Sequence, residues 1–194
     1  MGRRRIALIG SAPSSVALAP FHDQSWEIWG CSPGAYPVVK RADAWFELHR
    51  WEPPVIGDAT RQKPWFTPEY VEWLRRFPGT VWLNEETPDI PNGKAYPVEE
   101  VLSTYGPYFF TSSLSWMFAA ALQIEGLEEI GLWGVDMSAT EEYGYQRAGC
   151  HYFITLARKS GIKITVPAES DLLQPPALYG ISESSPMMIK LLAR

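Results

Sequence analysis

The residues of this chain best suited to chemistry are small hydroxyl groups, a carboxylate and a guanidinium, each standing just past an apolar run. Residues 5–15 read Arg-Ile-Ala-Leu-Ile-Gly-Ser-Ala-Pro-Ser-Ser. The apolar run 6–9 stops at Gly10, and Ser11, Pro13 and Ser14 follow before apolar residues resume at Val16. A buried parallel strand turning into a helix, with Ser14 or Ser15 as N-cap, has this pattern. The start of such a helix offers unpaired N–H groups and a positive dipole end to an anion. Thr111, Ser112 and Ser113 head a second apolar stretch in the same way, and two facing helix starts suit a diphosphate. Asp136 follows the run 129–135, where a carboxylate can hold a ribose hydroxyl or a metal. Tyr143, Tyr145, Gln146 and Arg147 come next, and the planar Arg147 cation matches phosphate. His151 lies one helical turn beyond Arg147 on the same face, either a general base or a structural histidine. Cys31, Ser32, Glu47, His49 and Ser170 complete a set of polar strand-end residues. In an open parallel sheet these converge on the ligand crevice, although each also has an ordinary use as a loop cap.

Several common machineries are missing. The loop after residue 9 has one of the three glycines of the dinucleotide fingerprint and lacks the Walker lysine. There is no Gly-x-Ser-x-Gly elbow. His22, His49 and His151 have neither HExxH nor paired spacing, so no structural zinc site is expected.

These groups must be held by a fold, and the bulk of the chain bounds it. At 194 residues the chain can bury one substantial core, and a second full domain is not expected. The net charge of -5 argues against a duplex nucleic-acid surface, and the basic run 3–5 reads as a solvated N-terminus. Nine tryptophans suggest aromatic-lined pockets or interfaces as well as core. Cys31 and Cys150 have no CxxC spacing and fit reduced thiols. No apolar stretch reaches the roughly 18 residues of a membrane span, and no signal peptide is recognised. A cytoplasmic protein without a membrane partner is therefore expected, with homo-oligomerisation left open.

The positioning elements follow from the apolar runs. Strands are expected at 6–9, 26–30, 42–49, 81–83, 129–135 and 163–166. Helices are expected at 16–22, 68–77 with Thr67 as N-cap, 114–124 and 145–160 with Gly161 after it, with single turns at 35–40 and 168–173. Residues 51–68, rich in Pro, Trp and charge, read as a lid-like excursion, and 84–97 as a Pro-rich loop. Short crossovers between strands predict an α/β fold of Rossmann-like type, a mostly parallel sheet with helices on both faces. The expected organisation is one nucleotide-binding domain over 1–173 and a tail over 174–194.

Residues 10–14, Gly-Ser-Ala-Pro-Ser, resemble the Gly-x-Gly-Pro-Ser loop of the family 42 sialyltransferases and of 6-hydroxymethylpterin diphosphokinase-like proteins. Thr111-Ser112-Ser113, an Ala-rich helix and then Glu-Ile-Gly-Leu-Trp-Gly-Val-Asp, ending at Gly134 and Asp136, resemble their second motif. The pattern, with Trp29-Gly30, Trp-Phe-Glu-Leu-His at 45–49 and Tyr145-Gln146-Arg147, is also similar to small bacteriophage-encoded proteins of undefined activity. The resemblance implies a Rossmann-like fold, a nucleotide or nucleotide-sugar ligand, and group transfer of glycosyltransferase type. It further implies that Tyr143 and Tyr145 assist the departing phosphate, and that Gly134 belongs to the nucleotide loop. Phe109-Phe110 stand where the sialyltransferases carry an Arg before Thr-Ser, and their catalytic histidine lies before the last helix rather than at His151. Group transfer is therefore weighed against a non-catalytic nucleotide binder and against a diphosphotransferase needing ATP and Mg²⁺. No cofactor other than Mg²⁺ is suggested. A phage origin would place the protein in the host cytoplasm.

Overall fold

The computed structural model describes residues 4–51, 65–138 and 141–174, with the backbone alone at 141–143. Among the described residues seven strands make one sheet: β1 (Arg4–Ile9), β2 (Trp26–Cys31), β3 (Ala44–Glu47), β4 (Thr80–Leu83), β5 (Gly93–Ala95), β6 (Leu127–Trp133) and β7 (Lys163–Thr165). Their order is β5-β4-β3-β2-β1-β6-β7, and every neighbouring pair is parallel. The fold is thus an α/β fold of Rossmann-like type.

The near-continuous apolar runs follow from burial on both faces. Along β1 the side chains alternate. Ile6 and Leu8 join a core with α4 (Ser113–Leu122) and α5 (Glu141–Lys159), through Phe118, Phe153 and Ala157. Ala7 and Ile9 face the other way, toward Val16, Trp26, Ile28 and Trp133. A third cluster gathers Ala35 of α1 (Ser32–Ala35), Trp45 of β3, and Tyr70, Val71 and Leu74 of α2 (Pro68–Arg76). The tryptophans therefore serve chiefly as core: Trp45 is fully buried and Trp26 meets Trp133 edge-on at 5.2 Å.

Several elements differ from the sequence-based expectation. The helix expected at 16–22 is a single 3-10 turn, Val16–Leu18, and Ser15 makes no side-chain cap bond to it. Pro13 and Pro20 flank this segment, and prolines inside a helix remove donors and clash. The turn expected at 35–40 begins earlier, as α1, with Pro33 in its first turn. The span 84–97 contains β5, and the unexpected α3 (Val98–Tyr105) follows it. The segment 168–173 forms turns without a helix. By contrast α2 starts at Pro68 with the Thr67 side chain accepting from the Tyr70 N–H, and α4 is capped by Ser112. The lid-like reading of 51–68 falls largely on residues outside the described ones, as does most of the tail. Among the described residues no helix is long and apolar enough to cross a membrane.

The strand order fixes where a ligand crevice lies. From β1 the chain steps outward through β2, β3, β4 and β5, then returns to lay β6 against the other side of β1. The loops after β1 and β6 leave the sheet at this reversal, the topological switch point where open α/β sheets bind ligands.

Candidate functional site

The loops after β1 and β6 are laced together at the switch point. Gly10 N–H donates to the Trp133 carbonyl at 2.9 Å, and Ala12 N–H to the Gly134 carbonyl at 2.8 Å. Gly134 N–H donates to Ser15 Oγ at 2.9 Å. A side chain at Gly10 would collide with the Gly134 carbonyl, and Gly134 itself has a positive φ of 68°. Both glycines therefore allow close backbone approach. The donors at Gly10 and Ala12 are already engaged and Pro13 has none, so the anion cradle expected from a helix start after β1 is not built in that way. What the loop does present is side chains: Ser11 and Pro13 are exposed, and Ser14 Oγ donates to Asp136 Oδ1 at 2.7 Å.

Asp136 stands in the middle of the rim. Its Oδ1 also accepts from the Asp171 N–H at 3.3 Å, and its carbonyl accepts from Arg147 Nη1 at 3.4 Å. Arg147 further donates to the Gln174 carbonyl at 3.3 Å. Burial lowers the pKa of this guanidinium, while the Asp171 and Asp136 charges beside it oppose that shift. The start of α4 is tied in through α5, since Thr111 Oγ1 donates to the Tyr145 carbonyl at 3.0 Å. Ser112 Oγ accepts from the Ser115 N–H as helix cap, and Ser113 opens the helix. Gly149 of α5 lets the Phe109 carbonyl, Ser115 Oγ and Thr111 Oγ1 come close.

Other expected residues have contacts of their own. His151 Nε2 hydrogen-bonds to the Leu172 carbonyl at 2.7 Å, tying α5 to the 170–172 turn. Ser170 is buried, donating to the Val135 carbonyl at 2.6 Å and accepting from the Leu172 N–H at 3.1 Å. Tyr145 is exposed and Gln146 partly so. The Tyr143 side chain lies outside the described residues. Asp171, not singled out from the sequence, is a buried carboxylate that accepts from Ser138 Oγ at 3.2 Å. Among the described residues no three or more His, Cys, Asp or Glu side chains gather as a metal site would.

The rim continues along β2 and β3. Cys31 is buried, its thiol donating to the Ile9 carbonyl at 3.8 Å. Burial pushes this thiol up to about 12, and the Glu47 charge adds to the shift. Ser11 reaches α1, since a side chain at Gly34 would lie 3.5 Å from its Oγ. Beyond it Glu47 is fully buried and His49 stands half-exposed, their carboxylate and imidazole in contact at 2.5 Å. Among the described residues three that are not glycine adopt positive φ: Ser32 at 63°, Phe109 at 67° and Met137 at 50°. They directly follow β2, shortly precede Thr111 and directly follow Asp136, so these non-glycine left-handed positions fall at the rim segments. Such positions concentrate at functional sites. A separate cavity of about 400 Å³ lies at the opposite edge, among Glu27, Trp29, Asp43, Trp82 and Gln123 near the strand beginnings.

The sequence pattern could not reveal Asp171 or the Glu47 network. A lone carboxylate in a turn has no periodic signal, and Glu47 reads as the polar end of an apolar strand.

No protein-family model matches the chain, and no curated protein matches it. A solved structure of similar fold is the sialyltransferase CstII from Campylobacter jejuni in complex with a substrate analogue, cytidine-5'-monophosphate. The two superpose with a TM-score of 0.50 at 15% identity, over 84% of this chain and 79% of that one. At that identity the likeness speaks for the fold.

Proposed function

We propose that the rim at the β1–β6 switch point binds a nucleotide or nucleotide sugar and transfers the group carried on its phosphate. The observation that carries this reading is the Ser14–Asp136 bond across the reversal, with Arg147 of α5 donating to the Asp136 carbonyl. It gathers hydroxyl, carboxylate and guanidinium where an α/β sheet accepts a nucleotide. In this reading Asp136 receives a sugar hydroxyl. Arg147 and the exposed Tyr145 face the phosphate and stabilise the charge that develops as it leaves. Ser11, Ser14 and Ser32 supply hydroxyl donors along the path. The fold shared with a CMP-bound sialyltransferase supports a nucleotide ligand and makes CMP and CMP-sialic acid the first probes. Transfer of glycosyl type follows from that support, and the sialyl group is the first candidate cargo.

One observation favours a second reading, retention of the nucleotide without turnover. His151, read from its spacing to Arg147 as either a general base or a structural histidine, has its Nε2 on the Leu172 carbonyl. Mg²⁺, if used, would face Asp136 and Asp171.

The test is a thermal-shift panel of CMP, CDP, UMP, UDP, GDP, ADP, NAD and CMP-sialic acid, with and without Mg²⁺. A ligand at 100 times its Kd stabilises the fold by about 2.7 kcal/mol. Mass spectrometry of the best binder after incubation separates transfer or hydrolysis from retention. A flat response across the panel would sink the nucleotide reading.

A further inference from the structure

Where the strands begin, at the edge of the sheet away from the loops after β1 and β6, a row of register partners runs Trp29 of β2, Ala44 of β3 and Thr80 of β4. Side chains two apart on a strand share a face, so Glu27 stands before Trp29 on this face and Trp82 beyond Thr80. Two small residues in a row headed by a tryptophan leave the sheet hollow there. The hollow is the cavity of about 400 Å³, and the C-terminal end of α4 bounds it through Ala120, Gln123 and Ile124.

Three features of the wall agree on one kind of occupant. The first is aromatic. Phe46 lies between the two indoles, its ring centroid 5.2 Å from that of Trp29 and 6.3 Å from that of Trp82, and Trp82 is 6.2 Å from Tyr96. Two of the lining rings are locked in place. Trp29 Nε1 donates to Glu27 Oε1 at 2.7 Å, and the Tyr96 hydroxyl donates to the Trp116 carbonyl at 2.7 Å. Fixed aromatic faces hold a flat apolar body and attract a cation. The second feature is charge. The Glu27 and Asp43 carboxylates both line the cavity, and among the described residues no Lys, Arg or His does. Arg4 and Arg41 pair with these carboxylates, yet they stand in the wall of a neighbouring pocket that shares Glu27 and Asp43. The third is the end of α4, where the helix dipole is negative and favours a positive charge. Apolar faces with a few convergent polar groups, in a cavity of this size, suit a small molecule.

We propose that this cavity binds a small organic cation, a primary amine carried on an aromatic ring system. The ring lies over Ala44 and Thr80, between the Trp29 and Trp82 indoles. The ammonium faces Glu27, Asp43 and the end of α4. The site lies across the sheet from the switch-point rim, and it does not rest on the nucleotide reading.

Tryptamine and phenethylamine are the probes, with tryptophol and indole-3-acetate as the neutral and anionic counterparts of tryptamine. In calorimetric titration at neutral pH the amines bind and indole-3-acetate does not. Tryptophol binds about tenfold more weakly than tryptamine, the worth of one charge-assisted hydrogen bond. Glu27→Gln weakens tryptamine by a similar factor. Thr80→Leu fills the hollow and abolishes binding, while circular dichroism shows the fold retained. In ¹H–¹⁵N spectra the indole N–H peaks of Trp29 and Trp82, identified with Trp29→Phe and Trp82→Phe, move as tryptamine is added. If neither amine binds at millimolar concentration, the proposal fails. Tryptophol binding as tightly as tryptamine overturns the cation, and peak movements that spare Trp29 and Trp82 overturn the location. Should Thr80→Leu not fold, Glu27→Gln decides, and unchanged tryptamine affinity there sinks the proposal. The thermal shift with CMP is read separately, so either result can fail while the other stands.

Discussion

Asp136 Oδ1 is shared by Ser14 Oγ and the Asp171 N–H, so the shape of this side chain and its charge are separable by substitution. Asp136→Asn keeps an oxygen acceptor, and urea denaturation should find it within about 1 kcal/mol of wild type. Asp136→Ala leaves two donors without their acceptor and should cost about 1–3 kcal/mol. Both, like Arg147→Ala, should weaken the thermal shift given by CMP, and an unchanged shift in all three would remove the site assignment. The cysteines make a second residue-scale prediction. Burial first, and then the Glu47 charge at Cys31 and the Cys31 charge at Cys150, push both thiols up to about 12. Ellman's reagent at pH 8 should therefore leave both thiols unlabelled in the native chain and label both in denaturant. The folded thiols hold their protons above the pH, about 8.5, at which unfolded ones release them. Stability should then fall as pH rises from about 8.5 toward 12, because the unfolded state binds fewer protons there. Glu129 acts at the other end of the scale. Burial raises its pKa, but hydrogen bonds from Thr165, Lys163 and Arg5 outweigh that and hold the carboxyl below its ordinary value. Its contribution is present above the unfolded carboxyl range and is lost as acid protonates it. The hydroxyl, carboxylate and guanidinium of the rim were legible from residue type and strand-end position. Their partners were not, because Ser14 and Asp136 lie 122 residues apart and nothing local links them.

At the scale of elements, caps and prolines decided what could be read. Thr67-Pro68 and Ser112-Ser113 carry local chemistry that starts a helix, and α2 and α4 begin there. Ser112→Ala should cost about 1 kcal/mol in denaturant unfolding, since it removes the acceptor for the Ser115 N–H. A loss well above that would mean Ser112 also holds the α4–α5 contact together. For α3 the signal was in the chain. Val98, Val101, Leu102 and Tyr105 recur at helical spacing, Glu99 and Glu100 sit in the first turn, and Gly106 follows. The cap at Pro97 has no side-chain hydrogen bond, so the usual start marker is missing. The segment after β1 fails in the opposite sense. Its serines have the composition of a cap, yet Ser15 turns inward to hold Gly134 N–H, and the two prolines leave room only for a 3-10 turn. A tertiary contact outweighed a local preference there, which no window of neighbours can show.

At the scale of the whole molecule, β1 and β6 form the spine, with β2 completing the middle of the sheet and β5 and β7 at its edges. Residues 6–9 have no exposed surface, whereas no residue of β5 or β7 is buried. Hydrogen exchange followed by mass spectrometry should therefore find the amides of β1, β2 and β6 slowest, near the limit set by global unfolding. Those of β5 and β7 should exchange sooner. Protection of β5 equal to that of β1 would contradict this picture. The strand runs, their parallel pairing and most of the helices were determined by the sequence itself, because burial on two faces requires continuous apolar runs and caps are local. Strand order, and with it the reversal beside β1, belongs to the tertiary structure alone, since several orders satisfy the same runs. The same holds for the rim: which hydroxyl meets Asp136, which donors the backbone consumes, and that Glu47 steadies His49 all depend on contacts between distant segments, whose free energy appears only when the chain has closed.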